Sequence, residues 1–338
     1  MASDTNPRSW LYPTPRGLYC APGDFYIDPA VAVPRALITH GHGDHARPGH
    51  RAALATPETL AIMRTRFQDM PDTRQQSLKY GQSIRLGDVD VQLVPAGHIL
   101  GSAQAVLEHK GQRIVVSGDY KRRPDPTCPP FEPVPCDVFI TEATFALPVF
   151  HHPSDAGEIG KLLRSVETFP ERTHLVGVYA LGKCQRVIKL LRAAGWDKRI
   201  WLHGALLPLC KLYQEQGVDL GDIAHVSDAI LETFKGAIVL CPPSAIADRW
   251  SRRFAEPVPA VCSGWMRVRA RARQSNAELP LVISDHADWP ELCQTLKDVG
   301  APKVWVTHGR EEALVHMAKS LGIDAEALHL AGREDEDS

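Results

Sequence analysis

Hydrophobic and polar positions along this chain follow two periods, and the change from one to the other divides it. Up to Pro34 the apolar runs are short and Pro, Gly and Tyr are dense, which predicts brief strands joined by turns. Ala36-Leu37-Ile38 is a continuous apolar run, as in a buried strand. Thr56-Pro57-Glu58 reads as an N-cap with Pro at the first helical position, opening an amphipathic helix through about Phe67 that should pack on the outside of a sheet. Val89, Val91 and Leu93 alternate with Asp88, Asp90 and Gln92, a half-buried strand that runs into Pro95-Ala96-Gly97-His98. Ile114-Val115-Val116, Val138-Phe139-Ile140, Leu279–Ile283 and Lys303–Thr307 read as further strands.

Between His151 and Val268 the pattern changes. Helical stretches near 155–168, 183–194 and 205–216 alternate with short strands at 174–179, 199–203 and 237–241, which predicts a separate α/β unit. The division expected is therefore 1–150 and 269–330 as two parts of one domain, with 151–268 inserted between them. Residues 331–338 form an acidic tail without apolar positions, expected to be disordered.

Six of the strands in the flanking parts end in His, Asp or Glu. Independent surface residues would not keep choosing that position, and function in layered α/β proteins gathers at such ends. The densest case is Thr39-His40-Gly41-His42-Gly43-Asp44-His45, with glycines that let the backbone bend tightly around an ion. Histidines two apart cannot share a helix face, but a loop can turn His40 and His42 toward one cation. Asp44 and His45 point elsewhere and suit a second ion. His98, between glycines at a strand end, is a candidate third ligand of the first ion, against the bland reading of a lone surface histidine. Asp119, after Gly118, has two oxygens and can bridge both ions. Asp28 is a candidate partner for the second ring nitrogen of a ligating histidine, or simply a turn residue before Pro29. Imidazole with carboxylate favours two divalent ions, zinc first, and admits manganese or iron.

Charge adds little at the level of the whole chain. The 338 residues are 44% hydrophobic and 23% charged with a formal net charge of -2, so nucleic-acid contacts would have to come from local basic patches. Three such patches stand out. Lys121-Arg122-Arg123 follows the candidate bridging ligand and is placed to meet phosphates. Lys183 opens a helix after a strand, where backbone N–H groups also face an anion. Arg267, Arg269, Arg271 and Arg273 recur at period two and would form one stripe if extended, either for a phosphate backbone or as charge on an edge strand. The eight cysteines are scattered without a CxxC pair, which reads as reduced thiols in a cytoplasmic protein. Met1 to Pro29 holds no apolar run fit for a secretory signal or a membrane span.

Taken together these motifs resemble a known family. The order His40, His42, Asp44, His45, then His98, then Asp119 is similar to the metallo-β-lactamase fold, an αββα sandwich with two metals at its rim. Glu142 in TEATF, His286 in SDHADW and His308 in VTHGRE resemble the three additional motifs of the β-CASP nucleases, and the insertion lies where that family carries its β-CASP domain. SGWM, the Arg-rich segment after it and SDHADW look most like bacterial exonucleases that work beside an ATP-dependent DNA ligase and a helicase in repair. The resemblance implies His40, His42 and His98 on one ion, Asp44, His45 and His308 on the other, and Asp119 on both. It implies hydrolysis of DNA phosphodiesters by hydroxide generated at the ions, with Glu142 and His286 as a general-acid pair and Asp28 orienting a histidine.

His308 also keeps RNA open as the substrate, because RNA-cutting members of the family usually carry histidine in the last motif. A small-molecule hydrolase of the glyoxalase II or lactonase kind shares THxHxDH but has no use for the insertion or for Glu142 and His286. A catalytically dead scaffold would be expected to have lost ligands, and all seven are present.

Overall fold

The computed structural model describes residues 6–68 and 70–330, so the acidic stretch expected at 331–338 lies outside the described residues. Among them, the residues up to Phe150 and from His286 onward form one unit, and His151–Asp285 form another.

The first unit begins with the short strands that the turn-rich N-terminal sequence predicts. These are β1 (Leu11–Thr14), β2 (Gly17–Cys20), β3 (Phe25–Ile27), β4 (Arg35–Leu37), β5 (Ala52–Ala55) and β6 (Arg74–Ser77), which lie in that order in one sheet. Its first three strands are antiparallel and the rest run parallel. Helix α1 (Pro57–Arg66) crosses between β5 and β6, with the Thr56 side chain capping the N–H of Thr59. Next come β7 (Ser83–Leu86), β8 (Val89–Pro95), β9 (Ala103–His109), β10 (Gln112–Val116) and β11 (Val138–Ala143).

The chain then builds the second unit from α2 (Asp155–Thr168), β12 (His174–Gly177), α3 (Lys183–Ala193), β13 (Ile200–Leu202), α4 (Leu207–Glu215), β14 (Ile223–His225), β15 (Ile238–Cys241), α5 (Pro243–Ala247), β16 (Val258–Cys262), α6 (Arg269–Gln274) and β17 (Leu279–Leu281). All pairings in its sheet, ordered β14-β13-β15-β12-β16-β17, are parallel, as expected where helices alternate with strands. It returns to the first unit through α7 (Trp289–Val299), β18 (Lys303–Gly309), α8 (Glu311–Ser320) and β19 (Asp324–Ala327). These two strands complete a sheet ordered β19-β18-β11-β10-β9-β8-β7.

The two sheets of the first unit bury Leu11, Leu18 and Leu37 against Val91, Leu107, Ile114 and Trp305. Burial of each such side chain is worth about 1.5–3 kcal/mol. On the outer face of one sheet, Leu60 and Met63 of α1 pack on Ala36 and Ala53. On the outer face of the other, Leu292 and Leu296 of α7 and Leu314 of α8 pack on Val106, Val115 and Val304. This is the αββα metallo-β-lactamase sandwich, interrupted by the inserted α/β unit. No described helix is long and apolar enough to cross a membrane.

Two expectations need correction. Helix α1 is not amphipathic: Thr59 to Met63 are all buried, and five consecutive residues go right round a helix. The inserted unit also extends past Val268, because β17 pairs in parallel with β16. Residues 269–285 therefore belong with the second unit, not with the returning part of the first.

Candidate metal centre

The backbone around the candidate ligands is bent by residues that tolerate it. Gly97 and Gly118, just before His98 and Asp119, have positive φ of 73° and 57°. A Cβ on Gly97 would stand 2.4 Å from the Lys121 carbonyl oxygen, and one on Gly118 2.8 Å from Thr39 Oγ1. Asp28 and His308 adopt positive φ as non-glycine residues, 43° and 64°, a conformation that costs about 1–3 kcal/mol and collects at functional sites.

These bends bring side chains from distant strands together. His40, His42, His98 and Asp119 form one group whose candidate ligand atoms lie within 4.8 Å of one another, and Asp44, His45 and His308 form a second within the same limit. All seven side chains are buried. Asp119 Oδ2 lies 3.4 Å from His40 Nε2 and 3.3 Å from His45 Nε2, so one carboxylate adjoins both groups. His98 Nε2 faces His42 Nδ1 at 2.9 Å. Only one of those two nitrogens can donate to the other, whereas a cation would accept both lone pairs. The buried His40 Nε2, His45 Nε2 and Asp119 Oδ1 make no hydrogen bond. Buried polar atoms are rarely left so, and this donor set of imidazoles and carboxylates fits divalent cations.

Local contacts fix the rings. Asp28 Oδ2 accepts from His45 Nδ1 at 2.8 Å and from Thr39 Oγ1 at 2.6 Å, while Oδ1 accepts from the Thr39 N–H. With Nδ1 carrying the hydrogen, His45 turns Nε2 toward Asp44 and Asp119. Burial pushes the His45 imidazole toward its neutral form, but Asp119, Asp44 and Asp28 together hold its pKa well above the ordinary value. Burial likewise raises the Asp119 carboxyl, and His45 and His40 outweigh it and draw the pKa well down. Burial, with His45 beside it, lowers His40 to about 4. The carboxylates thus favour a proton on His45, while His40 stays neutral and its ring nitrogen keeps a lone pair.

Glu142 and His286 meet as a pair. His286 Nδ1 lies 2.9 Å from Glu142 Oε2, and its ring centroid is 4.6 Å from that of His98. Asp119, Glu142 and His286 could also group around an ion. Glu142 is already engaged, however: Oε1 accepts from the Tyr120 N–H at 2.7 Å and Oε2 from Thr144 Oγ1 at 2.6 Å. Sequence reasoning passes over Thr39 and Thr144. Their only signal is a hydroxyl within two residues of a key polar group.

The basic residues fare differently. Lys121 is buried, and Arg122 binds Asp298 and lies over the Phe131 ring, so the run 121–123 is not an exposed cationic patch. Arg123 likewise meets Asp288 and Glu291 of α7. Lys183 is fully buried and donates to Asp285 Oδ1 at 2.7 Å and to the Ile283 carbonyl. Arg267, Arg269, Arg271 and Arg273 are exposed, but the segment is a single 3₁₀ turn followed by α6 rather than a strand. Helical geometry sets Arg269 and Arg273 on one side and Arg271 on another, where it lies over the Trp265 ring.

No protein-family model matches the chain. A protein named a probable DNA ligase, from Opitutus terrae, is 27% identical over 94% of this chain and 31% of its own length. A ribonuclease of Thermus thermophilus is 26% identical over 56% of this chain and 47% of its own length. Cleavage and polyadenylation specificity factor subunit 3 of Dictyostelium discoideum is 32% identical over 34% of this chain and 15% of its own length. The chain thus spans less than half the length of these curated relatives. A solved structure of a protein of unknown function from Enterococcus faecalis V583 covers 80% of this chain and 74% of its own, with a TM-score of 0.56 at 13% identity, a likeness of fold alone.

Proposed function

We propose that this chain is a metal-dependent nuclease of the metallo-β-lactamase/β-CASP family that hydrolyses DNA phosphodiesters, as an exonuclease in repair. The family is supported by the αββα fold, by the His/Asp cluster and by relatives named as nucleases. The observation that carries the reading is the pair of ligand groups adjoining one carboxylate, Asp119, with Glu142 and His286 beside them.

His40, His42 and His98 would hold one divalent ion, Asp44, His45 and His308 another, and Asp119 both. Zinc suits these donors best, and manganese is also accommodated. When bound, two such ions lower the pKa of a water to about 7 and offset charge that develops on the phosphodiester oxygens. Asp28 keeps the proton of His45 on Nδ1, so that Nε2 is the ligating atom. Glu142 does the same for His286, leaving His286 Nε2 to hold a proton for the departing oxygen.

DNA is supported by the relative named a probable DNA ligase, of which one segment resembles nearly all of this chain. That likeness also supports work beside a DNA ligase, which the family resemblance implies is ATP-dependent and accompanied by a helicase. RNA is the second reading, favoured by His308 and by the relatives named ribonuclease and endoribonuclease. The test is incubation of the protein, and of Asp119→Ala, with matched DNA and RNA oligonucleotides labelled at either end, with added manganese or zinc. Metal-dependent shortening of DNA alone is expected, and the label that survives gives the direction. Preferential loss of RNA would move the chain to the RNA-processing branch.

A further inference from the structure

One face of the parallel sheet in the 151–285 unit is closed without a long helix. Ala224, Trp201, Val239 and Leu175 stand in one registered row across β14, β13, β15 and β12. The aromatic cover on this row comes from two one-turn segments, with Phe234 from 231–234 and Trp250 and the adjoining Phe254 from 249–253. Strand alternation puts Arg199, Trp201 and His203 on this same side, spanning roughly 13 Å at about 3.3 Å per residue. The Trp201 ring packs on Phe234 at 5.3 Å between centroids, and the His203 ring on Trp250 at 4.7 Å.

Cations gather at both ends of that span. Beside Arg199, a recess of about 290 Å³ is lined by Trp196, Lys198, Arg199, Lys235 and Thr233, with Asp222 as the one acid. Asp222 is engaged by Arg199 Nε at 2.9 Å, and the guanidinium lies over the Trp201 ring. The indole N–H of Trp196 is buried without an acceptor. Beside His203, half-buried Trp250 carries Arg253 over its ring at 5.3 Å, and Arg249 and Arg252 of the same turn are exposed. The neighbouring Asp248 accepts the Arg249 N–H on Oδ1 and offsets one of these three charges. This excess of positive charge stands on a chain whose net charge is -2, so it is local and not inherited from overall composition.

We propose that the surface over this face is a second nucleic-acid site, binding the phosphates of a single strand across the aromatic cover, in the direction of β13, from the Lys198/Lys235 recess to Arg249 and Arg252. Guanidinium and ammonium groups spread over such a length match successive phosphates better than one compact anion, and phosphate contacts position a strand without reading its sequence. The inference deepens the nuclease reading and rests on it for the choice of a strand over an acidic peptide.

The test measures binding of fluorescein-labelled single-stranded DNA and RNA 20-mers to the full chain in EDTA, by anisotropy across a salt series, with strand integrity checked on a gel. Lys198→Ala with Lys235→Ala, and Arg249→Ala with Arg252→Ala, should each weaken binding about ten-fold and lower the slope of log K on log salt by about 1.4, since each lost single-strand phosphate contact removes about 0.7. Lys198→Arg with Lys235→Arg should keep both. Lys211→Ala, an exposed lysine on α4, is the control and should change neither. Unchanged slopes in both double variants would overturn the proposal. So would equal affinity for polyglutamate of matched charge, or binding confined to inorganic phosphate or a mononucleotide. Loss of DNA and RNA binding alike marks a backbone site, and loss of one alone identifies the strand it serves. Cleavage by the unsubstituted chain with metal added is scored separately. A chain that cleaves but binds unchanged in both doubles loses only the second site, and one that binds yet never cleaves loses the nuclease reading.

Discussion

Each of the two units buries a cluster of charged or ionisable side chains, and the clusters differ in what answers the charge. In the 151–285 unit the answer is built in. Lys183 pairs with Asp285, Arg186 with Asp155, and Glu158 takes both Lys161 and the Val282 N–H. In the first unit Asp28, Asp44 and Asp119 meet histidines, and the atoms that converge are lone pairs. Buried charge is costly unless paired, so the first arrangement is complete within the chain while the second calls for cations. Surplus lone pairs, rather than charge as such, distinguish a candidate metal centre from a structural ion-pair network.

Substitutions can break that contrast, beginning with the largest expected effect. Asp119→Ala removes the carboxylate that adjoins both groups and should abolish cleavage and bound metal together, read by labelled-strand assay and elemental analysis. Retained metal at full stoichiometry would end its assignment as the shared ligand. His286→Ala should slow cleavage by about 10²- to 10⁴-fold, the worth of a general acid, with metal content intact. Metal loss in that variant would instead place His286 among the ligands, in the third grouping with Asp119 and Glu142.

Lys183→Met tests the other side of the comparison. It removes the buried ammonium that binds Asp285 and the Ile283 carbonyl and should destabilise the protein by about 3–5 kcal/mol in urea unfolding, with no change in metal content. A loss of metal without a loss of stability would make the second cluster part of the site. Asp28→Asn is the mildest of the four. It keeps the shape but weakens the hold on His45, and metal affinity should fall about 10- to 100-fold in competition with a chelator. Unchanged affinity would return Asp28 to the role of a turn residue under strain.

Short-range features are legible in the sequence. His40, His42, Asp44 and His45 fall within six residues, and apolar strands point to the positions of His98, Asp119, Glu142 and His308. The basic residues mislead for the opposite reason. Lys183 and Asp285 are 102 residues apart, and Arg122 and Asp298 are 176 apart, so no local pattern announces that these cations are engaged. The stripe at 267–273 fails because period two fits a strand only if the segment is one, and a helix scatters the same residues. The far boundary of the insertion is hidden because Leu279–Leu281 reads as a strand in either unit, and only its pairing with β16 assigns it.

By itself the sequence determined the kinds of chemistry: a dense set of metal-type donors, the strands that deliver them and an α/β insertion. These depend on residue type and on spacing within a few turns or strands. The tertiary structure decided which donors share a point, which ring nitrogen faces it and which cations are already paired. Those are distances between residues far apart in the chain, set by sheet pairing and core packing, and no local period encodes them.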